Sequence, residues 1–179
     1  MLELTKVSVH GEDITVLGPY NPYRTHIEMG GDRNNYPSHS GRILDLKDCL
    51  PKGIDYFIPL RDKLKITEAI TIVPSHDPAK TTSGLALLVA KLTDGQGYVD
   101  ASGCLVRHTK IQKLASGGDR SKQVHLDSIR VANTQLIEGR RVLLIDDVMT
   151  SGNSLIACKS LLLTAGAAHV TCLALGRTT

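Results

Sequence analysis

The run Arg140-Arg141-Val142-Leu143-Leu144-Ile145-Asp146-Asp147 constrains the fold of this chain more than any other stretch. Four consecutive apolar residues without alternation suit a strand covered on both faces, the environment of a parallel sheet flanked by helices. Parallel neighbours need a long crossover, and the sequence continues with one. After the loop Thr150-Ser151-Gly152-Asn153-Ser154, residues Leu155, Cys158, Leu162 and Ala165 fall on one helical face, Gly166 suits a C-terminal cap, and "HVTCLAL" reads as a further strand. Strand, tight loop, helix and strand in this order predict a right-handed crossover in an α/β fold: an open, mostly parallel, twisted sheet with flanking helices.

Upstream, the pattern from about residue 43 alternates between strand-like and helical, with "ILDL", "YFIPL" and "AITIV" as its apolar runs. A helix is expected after the last of them, because Leu85, Leu88, Val89 and Leu92 fall at i, i+3, i+4 and i+7. Thr81, Thr82 and Ser83 are its N-cap candidates, and Asp94-Gly95-Gln96-Gly97 is a turn. "YVDASGCLVR" leads toward another strand. Residues 1 to 40 are rich in Gly, Pro, Asn and His. Strand-like alternation there is confined to Val7-Ser8-Val9 and Ile14-Thr15-Val16-Leu17, so this part reads as a loop-rich cap rather than a core. The expected organisation is one domain of two parts, an N-terminal cap or hood over 1–67 and a core over 68–179.

At 179 residues, with 41% hydrophobic and 22% charged residues, the chain falls with soluble globular proteins. A net charge of +3 is too small to argue for nucleic acid but is compatible with an anionic small ligand. Met1-Leu2-Glu3-Leu4-Thr5-Lys6 has no basic segment followed by an apolar one, and no apolar stretch approaches a membrane span, so a cytoplasmic protein is expected. Cys49, Cys104, Cys158 and Cys172 form no C-x-x-C pair and read as reduced, mostly buried thiols.

Asp146 and Asp147 end a parallel strand, where side chains and loop amides of α/β proteins face the ligand crevice. The hydroxyl loop that follows opens a helix whose first amides lack intrahelical partners and whose dipole favours an anion. A phosphate suits that loop, yet it cannot also lie against two carboxylates. The ligand is therefore expected to be bipartite: a phosphate in the loop, and a sugar diol donating hydrogen bonds to the aspartates, with or without a bridging divalent cation. Neither G-x-x-x-x-G-K-[ST] nor a strand followed by G-x-G-x-x-G occurs.

"VLLIDDVMTSGNSL", residues 142 to 155, resembles the signature of type I phosphoribosyltransferases, which bind 5-phosphoribosyl 1-pyrophosphate (PRPP). The resemblance runs from "ITIVPSHDPAKTTSGLALLVAKL" through "CLVRHTKIQKLASGGDRSKQ" to "AGAAHVTCLALGRTT", and the arrangement is similar to the ComF-like group related to the amidophosphoribosyltransferases. It covers roughly residues 68 to 179.

By this resemblance Thr150, Ser151, Gly152, Asn153 and Ser154 cradle the 5-phosphate. Asp146 and Asp147 hold the ribose hydroxyls, act as the catalytic carboxylates and face magnesium, directly or through water. The pyrophosphate loop falls at Ser75 and His76, with Lys80 nearby. The basic stretch with Arg107, Lys110 and Lys113 corresponds to the loop that closes over pyrophosphate, Gly117-Gly118 permitting the motion. Thr150 stands where the hypoxanthine and guanine enzymes of the family carry an aspartate, which argues against that substrate subclass. The implied activity is transfer of phosphoribosyl to a nitrogenous acceptor, with Mg2+ as cofactor and a homodimer as the expected assembly. A second reading is a catalytically silent protein that senses PRPP or a nucleotide, linked to DNA uptake or processing as some relatives are.

Overall fold

Two short strands, β1 (Thr5–Val9) and β2 (Glu12–Val16), open the fold as a hairpin. His10 and Gly11 both take positive φ, 51° and 80°, which is the backbone a two-residue hairpin turn requires. The chain continues through β3 (Pro19–Tyr20), α1 (Tyr23–Glu28), α2 (Ser38–Lys47), α3 (Pro51–Phe57), a 3-10 turn (Ile58–Lys63) and β4 (Ala69–Ile72). Then follow α4 (Gly84–Thr93), β5 (Val99–Asp100), β6 (Leu105–Arg107), α5 (Lys122–Ser128), β7 (Ile129–Val131), β8 (Arg141–Met149), α6 (Asn153–Thr164) and β9 (His169–Thr178). This computed structural model describes residues 3–63, 67–80, 82–112 and 121–179.

The main sheet has the order β1-β2-β9-β8-β4-β5, with β3 also paired to β9. Every pairing in it is parallel except that of β1 with β2. The protein is therefore an α/β fold with a mostly parallel sheet and flanking helices. β6 and β7 form a separate antiparallel ribbon.

Alternation along β8 distributes its side chains between two cores. Leu143 and Ile145 join Ile43, Leu46, Phe57, Leu88 and Leu92 on the face covered by α2, α3 and α4. Val142 and Leu144 join Leu155, Cys158 and Leu162 of α6 on the other face. Both faces being apolar explains the unbroken hydrophobic run. α4 begins where Ser83 Oγ accepts from the Ala86 amide, and it buries Leu85, Leu88, Val89 and Leu92 as its periodicity predicts. Thr81 lies outside the described residues.

Three expectations change. Of the apolar runs, only "AITIV" is a strand: "ILDL" lies on α2, and "YFIPL" runs from α3 into the 3-10 turn. Ile43 and Leu46 on α2, and Ile54 and Phe57 on α3, are each three residues apart and buried together, a helical spacing that four-residue windows hide. Residues 3–20 also contribute to the core rather than lying outside it, since Ile14 is fully buried, Val16, Leu17 and Tyr20 are buried, and β2 extends the sheet beside β9. The stretch read as loop contains α1, which buries none of its residues and so carries no apolar period.

The helical layer over β4 and β8 is packed backbone to backbone. A Cβ at Gly84 would run into the carbonyl oxygen of Leu46, and one at Gly53 into the Leu46 amide. Leu46 is thereby clamped between α3 and α4, and the C-terminal end of α2 has a defined position.

Candidate active site

β4 and β8 are parallel neighbours, and Val73 just beyond β4 donates its amide to the Ile145 carbonyl at 2.9 Å. The helix after β4 packs on one face of the sheet and the helix after β8 on the other. Where successive connections diverge in this way, a crevice opens at the carboxyl ends of the strands. Asp146 and Asp147 stand at one lip of it and residues 73–80 at the other.

Consecutive strand residues point to opposite faces, so the two carboxylates are held from opposite sides. Asp146 is buried on the α6 side; it accepts from the Ser154 hydroxyl at 3.2 Å and from the Asp147 amide at 2.9 Å. Asp147 lies on the α2 side, 3.0 Å from Lys47 Nζ. Burial, reinforced by the neighbouring Asp147 charge, pushes the Asp146 carboxyl up to about 7, against the opposing pull of Lys47 and Ser154. Tyr20 is also raised, first by burial and then by the Asp147 charge, and its ring lies 5.9 Å from Lys47 Nζ.

The loop Thr150–Gly152 hands β8 over to α6. Gly152 takes φ +79°, and a Cβ there would press on Ile14 Cδ1 at 3.1 Å and Val9 Cγ1 at 3.2 Å, so the loop lies against the N-terminal hairpin. Thr150 Oγ1 is 3.0 Å from Thr178 Oγ1, and Ser151 Oγ meets the Asn153 amide at 3.5 Å. The Ser154 hydroxyl on Asp146 joins the hydroxyl loop to the acidic pair.

On the other lip, Arg107 is the organising residue. Only 4% exposed, it donates to the Ser75 carbonyl at 2.6 Å and to the Ser128 hydroxyl, and its Nη2 lies 3.4 Å from His125 Nδ1. Burial lowers its pKa, opposed first by Cys158 and then by Asp146. The guanidinium thus ties the β4 loop to the β6–β7 ribbon and α5. Lys110 pairs with Asp77 at 2.5 Å, which holds that carboxyl below the usual range. The Ile111 amide binds the His76 carbonyl at 3.1 Å. Ser75, Lys80 and Arg107 help line a cavity of about 160 Å³. Lys113 and Gly117-Gly118 lie outside the described residues.

A larger open cavity of about 330 Å³ lies between Thr109–Gln112 and α5, and neither the acidic pair nor the hydroxyl loop lines it. The carboxylates, helix start and strand ends identify the chemical site better than volume does, because they carry the charge and donors a polar ligand requires. Among the described residues no cluster of three or more His, Cys, Asp or Glu could hold a metal ion. Two carboxylates without a cage nevertheless fit magnesium, which keeps waters and takes further ligands from substrate phosphates.

The residue that sequence reasoning missed is Lys47. It sits one hundred residues from Asp147 and carries no local signal; only the packing of α2 brings it there. Among the described residues no helix is long and apolar enough to cross a membrane.

Comparison with curated proteins finds no match. Among solved structures, a chain described as the structure of the allosteric regulatory enzyme of purine biosynthesis aligns at 22% identity with a TM-score of 0.44, over 76% of this chain and 25% of that one. The present chain thus spans about a quarter of that enzyme's length. The family model described as phosphoribosyl transferase domain matches residues 88–177, which include β8, the acidic pair, the hydroxyl loop and α6. That match takes in half of the chain, and the protein belongs to the phosphoribosyl transferase domain family.

Proposed function

We propose that this protein binds PRPP with magnesium and transfers its phosphoribosyl group to a nitrogenous acceptor, releasing pyrophosphate. The observation that carries this reading is the carboxyl ends of the adjacent parallel strands β4 and β8, where two carboxylates and Ser154 at the start of α6 follow β8, and the loop after β4 meets Lys110 and Arg107. In this reading Thr150, Ser151, Gly152, Asn153 and Ser154 surround the 5-phosphate. Asp146 and Asp147 accept from the ribose hydroxyls, and Ser75, His76, Lys80, Lys110 and Lys113 meet the pyrophosphate, with Arg107 bracing their loop. The C1–oxygen bond to pyrophosphate breaks with its electron pair leaving on pyrophosphate, the acceptor nitrogen bonds to C1, and the acceptor proton is released. Carboxylates beside C1 stabilise the developing oxocarbenium charge. Magnesium, where bound, neutralises the departing pyrophosphate. Residues 1–67 act as hood and as one wall of the site, and residues 68–179 as the transferase core.

The raised Asp146 carboxyl sets a pH dependence. A folded-state value near 7 against the ordinary 3.8 means that the empty protein holds this proton more tightly folded than unfolded. Its contribution to stability is complete below about pH 4 and is lost as pH rises through 7. Ligand hydroxyls need the ionised acceptor, so binding below pH 7 must expel the proton. PRPP affinity is expected to rise by up to about tenfold per pH unit toward 7 and then level off. Calorimetry in two buffers of different ionisation enthalpy measures the proton released. The Asp146→Asn protein, corrected for titration of the ligand phosphates, should release none, and equal release from both proteins would refute the assignment.

The deciding assay is pyrophosphate release from PRPP and magnesium against a panel of bases and amines. Release with one acceptor class supports transfer. Binding without release for every acceptor assigns the site to ligand sensing, and absence of PRPP binding overturns the reading.

A further inference from the structure

We propose that Lys47 is a built-in competitor for the divalent cation: held on Asp147 by α2, it keeps metal off the acidic pair until metal arrives together with the phosphorylated ligand. The inference rests on the PRPP reading above and adds an order of binding to it.

Three observations support it. First, the ammonium lies 3.0 Å from Asp147 Oδ2, so it occupies the carboxylate edge that a cation would use. Second, the backbone that carries it is held in place. Leu46, the preceding residue, is 1% exposed and clamped by the close approach of Gly53 and Gly84, so the end of α2 cannot withdraw without unpacking the helical layer. Third, Tyr20 lies beneath Lys47 with its ring centroid 5.9 Å from Nζ, an arrangement that favours a cation over the ring face. Among the described residues, the charged and titratable groups recorded around Asp147 are Lys47 from α2, Asp146 from β8 and Tyr20 from β3.

The consequence is chemical. Asp146 already accepts from Ser154 and from the Asp147 amide, and Asp147 is met by an ammonium. A free divalent ion therefore competes with Lys47 for Asp147, and the two carboxylates alone are a poor donor set for it. When phosphate oxygens bring the metal with them, they supply the missing ligands and also a new anionic partner for the ammonium. Lys47 precedes the segment 88–177 matched by the family model, so the device belongs to the N-terminal part of this chain.

The test is Mn2+ binding to the full chain without nucleotide, read from the free-ion signal in electron paramagnetic resonance. Lys47→Met keeps the stem but removes the charge, and the protein is expected to bind Mn2+ about fivefold more tightly than wild type, the scale of one partly exposed ion pair. Lys47→Arg should stay near wild type. The double variant Lys47→Met, Asp147→Asn should lose the gain. Unfolding profiles of all three check that each is folded. A merely structural lysine predicts the opposite direction, because a disordered Asp147 binds metal less well. Equal or weaker binding by Lys47→Met overturns the proposal, as does a gain that survives in the double variant. Titration of wild type with PRPP and magnesium separates the two levels: if PRPP binds but Lys47→Met gains no Mn2+ affinity, only the Lys47 inference fails, and if PRPP does not bind, the PRPP reading fails.

Discussion

Asp147→Asn is expected to lower kcat/KM for pyrophosphate release by about 100-fold or more, the loss typical when one preorganised electrostatic group is removed from a site where charge develops. The substitution keeps shape and removes the negative charge that would face the oxocarbenium centre. Folding should be nearly unaffected. The pair it breaks with Lys47 is 35% and 29% exposed on its two side chains, and ion pairs this open contribute about 1 kcal/mol at most. Asp146→Asn should lose activity comparably but behave differently in stability. Its carboxyl is buried and resists ionisation, so above pH 7 the neutral amide is expected to raise the melting temperature of the empty protein. Activity of either variant within a few-fold of wild type would remove the carboxylates from the mechanism.

The second large effect is on the fold. Gly84 opens α4, where alanine would ordinarily favour the helix. Here its Cβ would meet the Leu46 carbonyl, a backbone atom that no rotamer change can move aside. Gly84→Ala is therefore expected to destabilise by about 3 kcal/mol or more, in the upper range of overpacking effects. Urea unfolding of the full chain measures it. Gly103 supplies the control, since a Cβ there meets nothing within 4 Å. Gly103→Ala should be neutral to slightly stabilising. If the two variants unfold at the same urea concentration, α2 and α4 are not locked at Leu46, and the defined position of Lys47 goes with them.

The parts of the site that are close in sequence were legible without a structure. Val142 to Ile145, the acid pair, the hydroxyl loop and the helix through Leu155, Cys158 and Leu162 form one contiguous unit. Its geometry follows from strand and helix periods alone. Ser83 is one of three adjacent cap candidates for α4, and the structure selects it. Short apolar runs carry less information. "ILDL" and "YFIPL" are compatible with strand or helix over four or five residues, and burial of Ile43 with Leu46 and of Ile54 with Phe57 decides for helix. The resemblance places Arg107 in the loop that closes over pyrophosphate, and nothing local in the sequence marks it as buried. Its burial against the Ser75 carbonyl and the Ser128 hydroxyl depends on the β6–β7 ribbon closing beside β4.

The α/β class, the strand carrying Asp146 and Asp147 and the loop that follows are legible from local patterns, because apolar runs, helical periods and turn residues lie a few positions apart. Tertiary structure alone decided that the two aspartates are unlike. Strand alternation turns one toward α6, where it is buried and raised, and the other toward α2, where Lys47 meets it. The physical reason is that burial and counter-charge are properties of the surroundings, and the surroundings of β8 come from helices folded onto both faces of the sheet.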